Sequence, residues 1–177
     1  MKRRAWLVAL GFALAGAAPA EPDGYRLDAY RAPTPATLQG ATVLSSAQAE
    51  ALWRDKRAAF VDVLAQAPRP KNLPQDVVWR DKARADIPGS LWLPDTGYGE
   101  LSDAMQDYLV AGLRKAQAGD PSRPLVFYCQ RDCWMSWNAA KRALTLGFKP
   151  VDWYPDGVDG WREAGLPLEA RQPEPRP

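Results

Sequence analysis

The segment RPLVFYCQRDCWMSWNAAKRALTLG, residues 123–147, contains a strand pattern, a short loop and a helix pattern in succession. Its apolar run LVFY ends at Cys129 and is typical of a strand buried in a parallel sheet. Three apolar residues then recur at helical spacing: Trp137, Ala140 and Leu144. Gly147 supplies the helix end. Both cysteines of the chain, Cys129 and Cys133, lie in this segment, with Cys129 at the end of the strand.

Strand and helix patterns alternate along most of the remaining chain. Strands are predicted within residues 41–46, 58–64, 87–94 and 149–157, and helices within residues 47–57, 101–116 and 158–165. Ser45 and Gln48 form a capping box at the start of the first helix. This alternation predicts an α/β fold, a parallel sheet of about five strands with helices on both faces. Active sites of such sheets form at the carboxyl ends of the strands, where Cys129 falls.

Two stretches interrupt the alternation. Residues 65–86 form a long loop rich in proline and charge, and loops of that length in a compact domain are often functional. Residues 97–99 form a Gly-Tyr-Gly turn before a helix. Both follow strands that should end on the side of Cys129. We therefore expect both to flank the cysteine loop, where they limit access or dock a partner.

The two ends of the chain differ in composition from its middle. Residues 1–20 combine a basic start, a short apolar run and a terminal Ala-Pro-Ala, which predicts a cleaved secretory signal and a periplasmic protein. Residues 21–40 read as a proline-rich arm that is poorly ordered or drapes the surface, residues 41–170 as the folded domain, and residues 171–177 as a proline-rich tail.

Charge and residue content exclude several functions. The chain has 23 basic and 21 acidic residues, and the leader contains three of the basic ones, so the mature chain is close to neutral. Neither nucleic acid nor a membrane surface is expected as a partner. The chain contains no histidine, which excludes Ser-His-Asp triads, Cys-His dyads and histidine-ligated zinc within it. The remaining chemistry is that of two thiols, with no metal site or cofactor of the chain's own expected.

Residues 43–168 resemble the rhodanese superfamily. AAFVDVL, residues 58–64, resembles the strand that bears the family's conserved aspartate, here Asp62. DIPGSLWLP, residues 86–94, resembles another conserved segment of the family. The stretch ALTLGFKPVDWYPDGVDGWREAGLPLE, residues 143–169, resembles its closing signature of spaced glycine, tryptophan and proline residues. The resemblance places Cys129 at the position of the family's persulfide-forming cysteine and implies sulfur transfer.

Within that superfamily the chain most resembles exported proteins with a C-x-x-x-C-W motif that are associated with alcohol catabolism dependent on pyrroloquinoline quinone. The resemblance implies an accessory role there. Expected partners are a sulfur- or thiol-containing substrate, a thiol protein, or a periplasmic quinoprotein dehydrogenase or its cytochrome.

The cysteine loop departs from the usual rhodanese pattern. Four loop residues are candidates for substrate binding: Gln130, Arg131, Asp132 and Trp134. Asp132 places a negative charge where the family has glycine, so thiosulfate is a poor candidate substrate. We expect the loop amides, the following helix N-terminus and Arg131 to lower the pKa of Cys129. In this hypothesis Cys129 attacks or receives sulfur, Cys133 resolves, and Asp62 holds loops rather than acting as a general base.

Three interpretations of the cysteine pair stay open at this point. The first is thiol chemistry, either sulfur transfer or thiol–disulfide exchange. The second is a structural disulfide in a non-catalytic binding module, although a ring this short gives little entropic stabilisation. The third is a carrier of Cu(I) or a cofactor, because soft Cu(I) accepts thiolates. A carrier would need Met135 or a partner to complete its ligands.

Overall fold

The computed structural model describes residues 18–68, 70–78 and 83–176. The strands are β1 Thr42–Val43, β2 Ala59–Asp62, β3 Arg84–Asp86, β4 Leu91–Trp92, β5 Leu125–Tyr128, β6 Val151–Trp153 and β7 Glu169–Arg171. The helices are α1 Ser46–Arg54, α2 Asp103–Gln117, α3 Trp134–Thr145 and α4 Gly157–Glu163. Residues 1–17, on which most of the predicted signal falls, lie outside the described residues.

Five strands form one parallel sheet in the order β1-β6-β5-β2-β4. Every pairing in this sheet is parallel, and β5 pairs with both β2 and β6. All four residues of β5 are buried, as are all four of β2, which explains the continuous apolar sequence of β5 and the apolar residues that precede Asp62 in β2. The predicted α/β architecture is therefore confirmed, and Cys129 follows directly on the central strand.

The helices lie on both faces of the sheet. On one face α2 and α3 contribute Leu109, Leu113 and Trp137 to a core with Val61 and Phe127. On the other face α1 and α4 contribute further apolar side chains, among them Ala49, Val158 and Trp161. The capping box of α1 is present, since the Ser45 hydroxyl accepts from the amide of Gln48 and the Gln48 side chain accepts from the amide of Ser45. None of the helices among the described residues is long and apolar enough to cross a membrane.

A second, two-stranded sheet was not predicted. β3 and β7 pair antiparallel, with Ala85 opposite Ala170. Their sequences, RAD and EAR, are short, polar and far apart in the chain, so neither has a strand pattern of its own. The expectation that residues 65–86 form an unbroken loop was wrong at its end, where β3 begins at Arg84.

Candidate functional site

The two cysteines lie at the two ends of one tight loop. Cys129 follows the last residue of β5, and Cys133 is the N-cap of α3. Between them Asp132 has a φ of 53°, a left-handed conformation that reverses the chain. Both cysteines are free thiols, and their exposed fractions are 0% and 1%. The fold therefore brings the two thiols together in a site shielded from solvent.

The two thiols have opposite electrostatic environments. Burial raises the pKa of Cys129 well above its ordinary value, with Cys133 adding to the rise. A hydrogen bond from Cys129 lowers the pKa of Cys133 to about 6, and the amide of Met135 and the side chain of Arg31 lower it further against the effect of burial. Cys133 is thus the thiolate and Cys129 the neutral thiol at neutral pH. The expectation that Cys129 has the lowered pKa was wrong, because Cys133 occupies the helix N-cap while Cys129 lies beneath it.

The guanidinium of Arg131 points away from the thiols. It donates to both carboxylate oxygens of Glu163 at 2.7 and 2.6 Å and to Asp156 at 3.1 Å, while the Arg131 amide donates to Asp159 at 3.1 Å. Arg131 therefore fastens the loop to α4 and its N-terminal flank. Its expected role as the cation of the thiolate was wrong, and Arg31 takes that position.

The other candidate loop residues are spread around the cysteines. Gln130 lines a shallow groove of about 410 Å³ at the carboxyl edge of the sheet, together with Arg84, Trp92 and Arg162. Asp132 is exposed. Trp134 is 3% exposed and packs edge-to-face on Trp137, with ring centroids 5.4 Å apart. Gln130 and Asp132 thus lie on the outer side of the loop, whereas the buried Trp134 packs over it.

Asp62 belongs to a buried polar cluster beneath the cysteine loop. Its carboxylate accepts from the amide of Leu64 at 2.8 Å and pairs with Arg84. Arg84 in turn donates to the carbonyl of Cys129 at 2.9 Å. Burial raises the pKa of Asp62 well above its usual range, the nearby Asp86 raises it further, and Arg84 opposes the rise. Through Arg84, Asp62 is connected to the backbone of the reactive loop.

The N-terminal segment covers this loop. Within the proline-rich residues 21–40, the stretch 22–38 runs along α3 and then across the loop, and we use the name arm for this stretch from here on. The amide of Ala32 donates to the carbonyl of Asp132 at 3.1 Å, and the amide of Trp134 donates to the carbonyl of Tyr30 at 2.9 Å. These bonds place Arg31 opposite Cys133 in an antiparallel bridge. The arm therefore pairs with the cysteine loop as a strand would.

The two predicted flanking segments lie next to each other, since residues 66–68 and Tyr98 line one groove. Gly97 packs against the first turn of α3, where a side chain would meet Met135 at 2.5 Å. Gly99 packs against the arm at Arg26, 2.3 Å from where its Cβ would lie. From residues 65–86, Arg84 reaches the site, whereas residues 69 and 79–82 lie outside the described part of the chain.

Two residues that affect the pKa values of the cysteines were not predicted from the sequence. Arg31 lies about 100 residues from the cysteines and acquires its role only through the fold. Ser136 is one helical turn into α3 and 1% exposed, and it lowers the pKa of Cys129 through a hydrogen bond while accepting from the Trp153 indole at 3.0 Å. A serine three residues after an N-cap was the available signal for Ser136. No sequence signal marked Arg31.

A further groove lies elsewhere on the described structure. It has a volume of about 780 Å³ and is lined by Trp53, Phe60, Leu91 and Arg123, among others. These residues surround the amino end of β2, at the opposite edge of the sheet from Cys129. The cysteine chemistry therefore does not take place in this groove.

A family model described as "Rhodanese-like domain" matches residues 45–164. The match spans more than half of the chain and includes strands β2 to β6, the cysteine loop and all four helices. The chain belongs to the rhodanese-like domain family.

Three solved structures are similar to the chain at low identity. A thiosulfate sulfurtransferase from Pseudomonas aeruginosa is 23% identical with a TM-score of 0.49, and the alignment covers 76% of this chain but 21% of that one. A polysulfide-sulfur transferase homodimer from Wolinella succinogenes is 21% identical with a TM-score of 0.47, covering 75% and 81%. A 3-mercaptopyruvate sulfotransferase from Escherichia coli is 21% identical with a TM-score of 0.44, covering 71% and 45%. None of the curated proteins compared with the chain matches it.

Proposed function

We propose that this protein transfers sulfur through its two cysteines, with Cys133 as the first acceptor and Cys129 as the resolving thiol. The observation that carries the proposal is the geometry of the pair: Cys133 is the N-cap of α3, the Cys129 thiol donates to the carbonyl of Cys133 at 3.6 Å, and the pKa of Cys133 is lowered to about 6. Membership of the rhodanese-like family supports sulfur-containing substrates or partners. A thiolate is the reactive form of cysteine, so Cys133 needs no separate general base.

The chemistry proceeds in two steps. The Cys133 thiolate attacks the outer sulfur of a persulfide R–S–SH, the donor S–S bond breaks, and the donor leaves as the thiolate R–S⁻. Cys133 then carries the persulfide –S–SH. Cys129 attacks the inner sulfur, closes a Cys129–Cys133 disulfide and releases hydrogen sulfide, which takes the proton of Cys129. A partner dithiol reduces the disulfide by thiol–disulfide exchange and becomes oxidised in its turn.

This order reverses the one expected from the sequence. Cys129 is fully buried and its pKa is raised, so it stays protonated and serves as hydrogen-bond donor first. Forming the persulfide on Cys133 removes the thiolate charge that the Cys129 proton stabilises. Cys129 then lies in position to attack.

Mass spectrometry of single variants treated with a persulfide donor tests the order. Cys129→Ser keeps the Cys133 thiolate and a hydroxyl donor beside it, so we expect it to accumulate an added sulfur atom on Cys133. Cys133→Ser should accumulate at least about tenfold less, because its remaining thiol is protonated and buried. Equal labelling of the two variants, or labelling of Cys129 alone, would contradict this assignment.

We further propose that the protein acts in the periplasm as an accessory to pyrroloquinoline-quinone-dependent alcohol catabolism, with a quinoprotein dehydrogenase or its cytochrome as a partner. The leader pattern of residues 1–20 and the C-x-x-x-C-W motif support this context. A strain carrying Cys133→Ser should grow more slowly on alcohol than the parent strain and normally on a sugar. Equal growth on both carbon sources would exclude the accessory role.

A further inference from the structure

The arm closes the site with bonds that any extended polypeptide could make. Two of them join backbone to backbone, between Ala32 and Asp132 and between Trp134 and Tyr30. Two more run from indole N–H groups to arm carbonyls, from Trp134 to Pro33 at 3.1 Å and from Trp137 to Thr37 at 3.1 Å. The side chain of Asn138 adds a further pair, accepting from and donating to the backbone of Arg26 at 2.9 Å.

The protein groups at this surface are therefore arranged to bind a main chain. The carbonyl of Asp132, the amide of Trp134 and the side-chain amide of Asn138 face the arm, and they hold it largely through its backbone. Addition of an extended segment to exposed backbone groups is a common mode of peptide recognition. A small anion such as thiosulfate could not satisfy groups spread over this length.

The arm is held by hydrogen bonds more than by buried apolar side chains. Across residues 22–38, all of which the structure describes, only Pro35 and Leu38 are buried. Leu27 is 60% exposed, and Arg31 is exposed although its guanidinium donates to the carbonyl of Arg131 at 2.9 Å. Segments with few buried apolar contacts open locally at a lower free energy than the whole fold. Local opening of the arm gives access to the two thiols without unfolding the sheet.

We infer that the arm occupies the binding site of an extended segment of a partner protein, and that this segment presents a cysteine persulfide or disulfide at the position of Arg31. Residues directly opposite in an antiparallel pair bring their side chains together, so the residue at this position lies against Cys133. A shift of one residue would turn the sulfur to the other face. The inference rests on the proposed function for its sulfur chemistry and adds the class of substrate.

The first experiment measures access in the full chain. Ala32→Pro removes the amide that donates to Asp132 and leaves the sheet untouched. We expect thiol reaction with a small aromatic disulfide to become about fivefold faster, which corresponds to the about 1 kcal/mol that one hydrogen bond contributes. Ala36→Pro is the matched control, because Ala36 is exposed, and its rate should equal that of the parent chain. Unchanged access in Ala32→Pro overturns the idea of a removable cover.

The second experiment tests the register with peptides. Two peptides have the sequence of residues 25–38, one carrying Arg31→Cys and the other Ala32→Cys, and each cysteine is activated as a mixed disulfide with thionitrobenzoate. The Cys133 thiolate attacks the peptide sulfur, the old S–S bond breaks, and coloured thionitrobenzoate thiolate leaves. The protein is the Ala32→Pro chain with Cys129→Ser, so that the new mixed disulfide persists.

We expect the Arg31→Cys peptide to react at least about tenfold faster than the Ala32→Cys peptide, because only the first places sulfur opposite Cys133. Equal rates for the two peptides, with rapid reaction of the small disulfide, overturn the extended-segment site and leave the sulfur function standing. If Cys133 reacts neither with the small disulfide nor with either of the two peptides, both proposals are overturned.

Discussion

At the scale of single residues, the two cysteines differ because of their positions in the loop. Cys133 is the N-cap of α3, where the amide of Met135 lowers the pKa of its thiol, and Arg31 lies opposite. Cys129 follows a strand buried on both sides and has an exposed fraction of 0%. Backbone amides at a helix start favour an anion, whereas burial alone disfavours one. The same residue type thus carries a negative charge at one end of the loop and a proton at the other.

Titration of thiolate absorbance checks this difference. We expect a midpoint near pH 6 for Cys133 in the reduced protein. Cys129→Ala removes the main hydrogen-bond donor and should raise the midpoint, while Cys129→Ser keeps a donor and should leave it closer to the parent value. Since the pKa of Cys133 falls from 9.0, its stabilising contribution is complete above pH 9 and is lost as the pH falls through 6. A midpoint near 9 in the parent chain would contradict the thiolate assignment.

At the scale of elements, the turn between β6 and α4 fixes the backbone of Cys129. Gly157 has a φ of 50°, and a Cβ at this position would lie 2.7 Å from the carbonyl carbon of Cys129. The next amide, that of Val158, donates to the carbonyl oxygen of Cys129 at 3.2 Å. The glycine therefore allows the start of α4 to approach the cysteine loop closely enough for this bond.

Gly157→Ala tests that close approach. Left-handed backbone costs an alanine about 1–2 kcal/mol, and the contact with Cys129 should add to this cost in the free energy of unfolding. Gly165→Ala is the matched control, because Gly165 has a φ of 70° and open space around its Cβ position. Urea unfolding should show a larger loss for Gly157→Ala than for Gly165→Ala. Equal losses would mean that the turn relaxes without pressing on the cysteine loop.

At the scale of the whole molecule, one buried ionic cluster joins the two sheets to the site. Arg84 on β3 pairs with Asp62 on β2 and donates to the Cys129 carbonyl after β5. Asp86, also on β3, accepts from the hydroxyl of Tyr128 on β5. Burial raises the pKa of both the Asp62 and the Asp86 carboxyl. The guanidinium of Arg84 opposes this rise and so stabilises their ionised forms.

Arg84→Met should destabilise the protein by about 3–5 kcal/mol at neutral pH, because it leaves buried carboxylates without their cation. The loss should shrink as the pH falls towards the ordinary aspartate value of 3.8, since a carboxyl with a raised pKa becomes neutral as it gains its proton. Urea unfolding at neutral and acid pH measures both effects. Arg57→Met is the control, because its pair with Asp55 is exposed and contributes about 0–1 kcal/mol. A loss independent of pH would contradict the role of the carboxyls.

The sequence by itself determined the main strands and helices of this protein and their α/β arrangement. Continuous apolar runs such as LVFY specify buried parallel strands, and local patterns such as the capping box at Ser45 begin a helix without help from distant residues. The position of Cys129 at a strand end followed from the same local signals. Such features depend on neighbouring residues, and the alternation of strands and helices leaves few topologies for them.

Tertiary structure decided which cysteine is charged and what covers the pair. Arg31 reaches Cys133 across about 100 residues, Arg131 turns instead to Glu163, and the strand of Arg84 forms only by pairing with β7. None of these contacts has a local periodicity, since each joins polar residues that are distant in the chain. Burial also depends on residues that are distant in the chain. The raised pKa of Cys129 comes from desolvation, and the thiol is desolvated only once the arm, the sheet and α3 have packed around it.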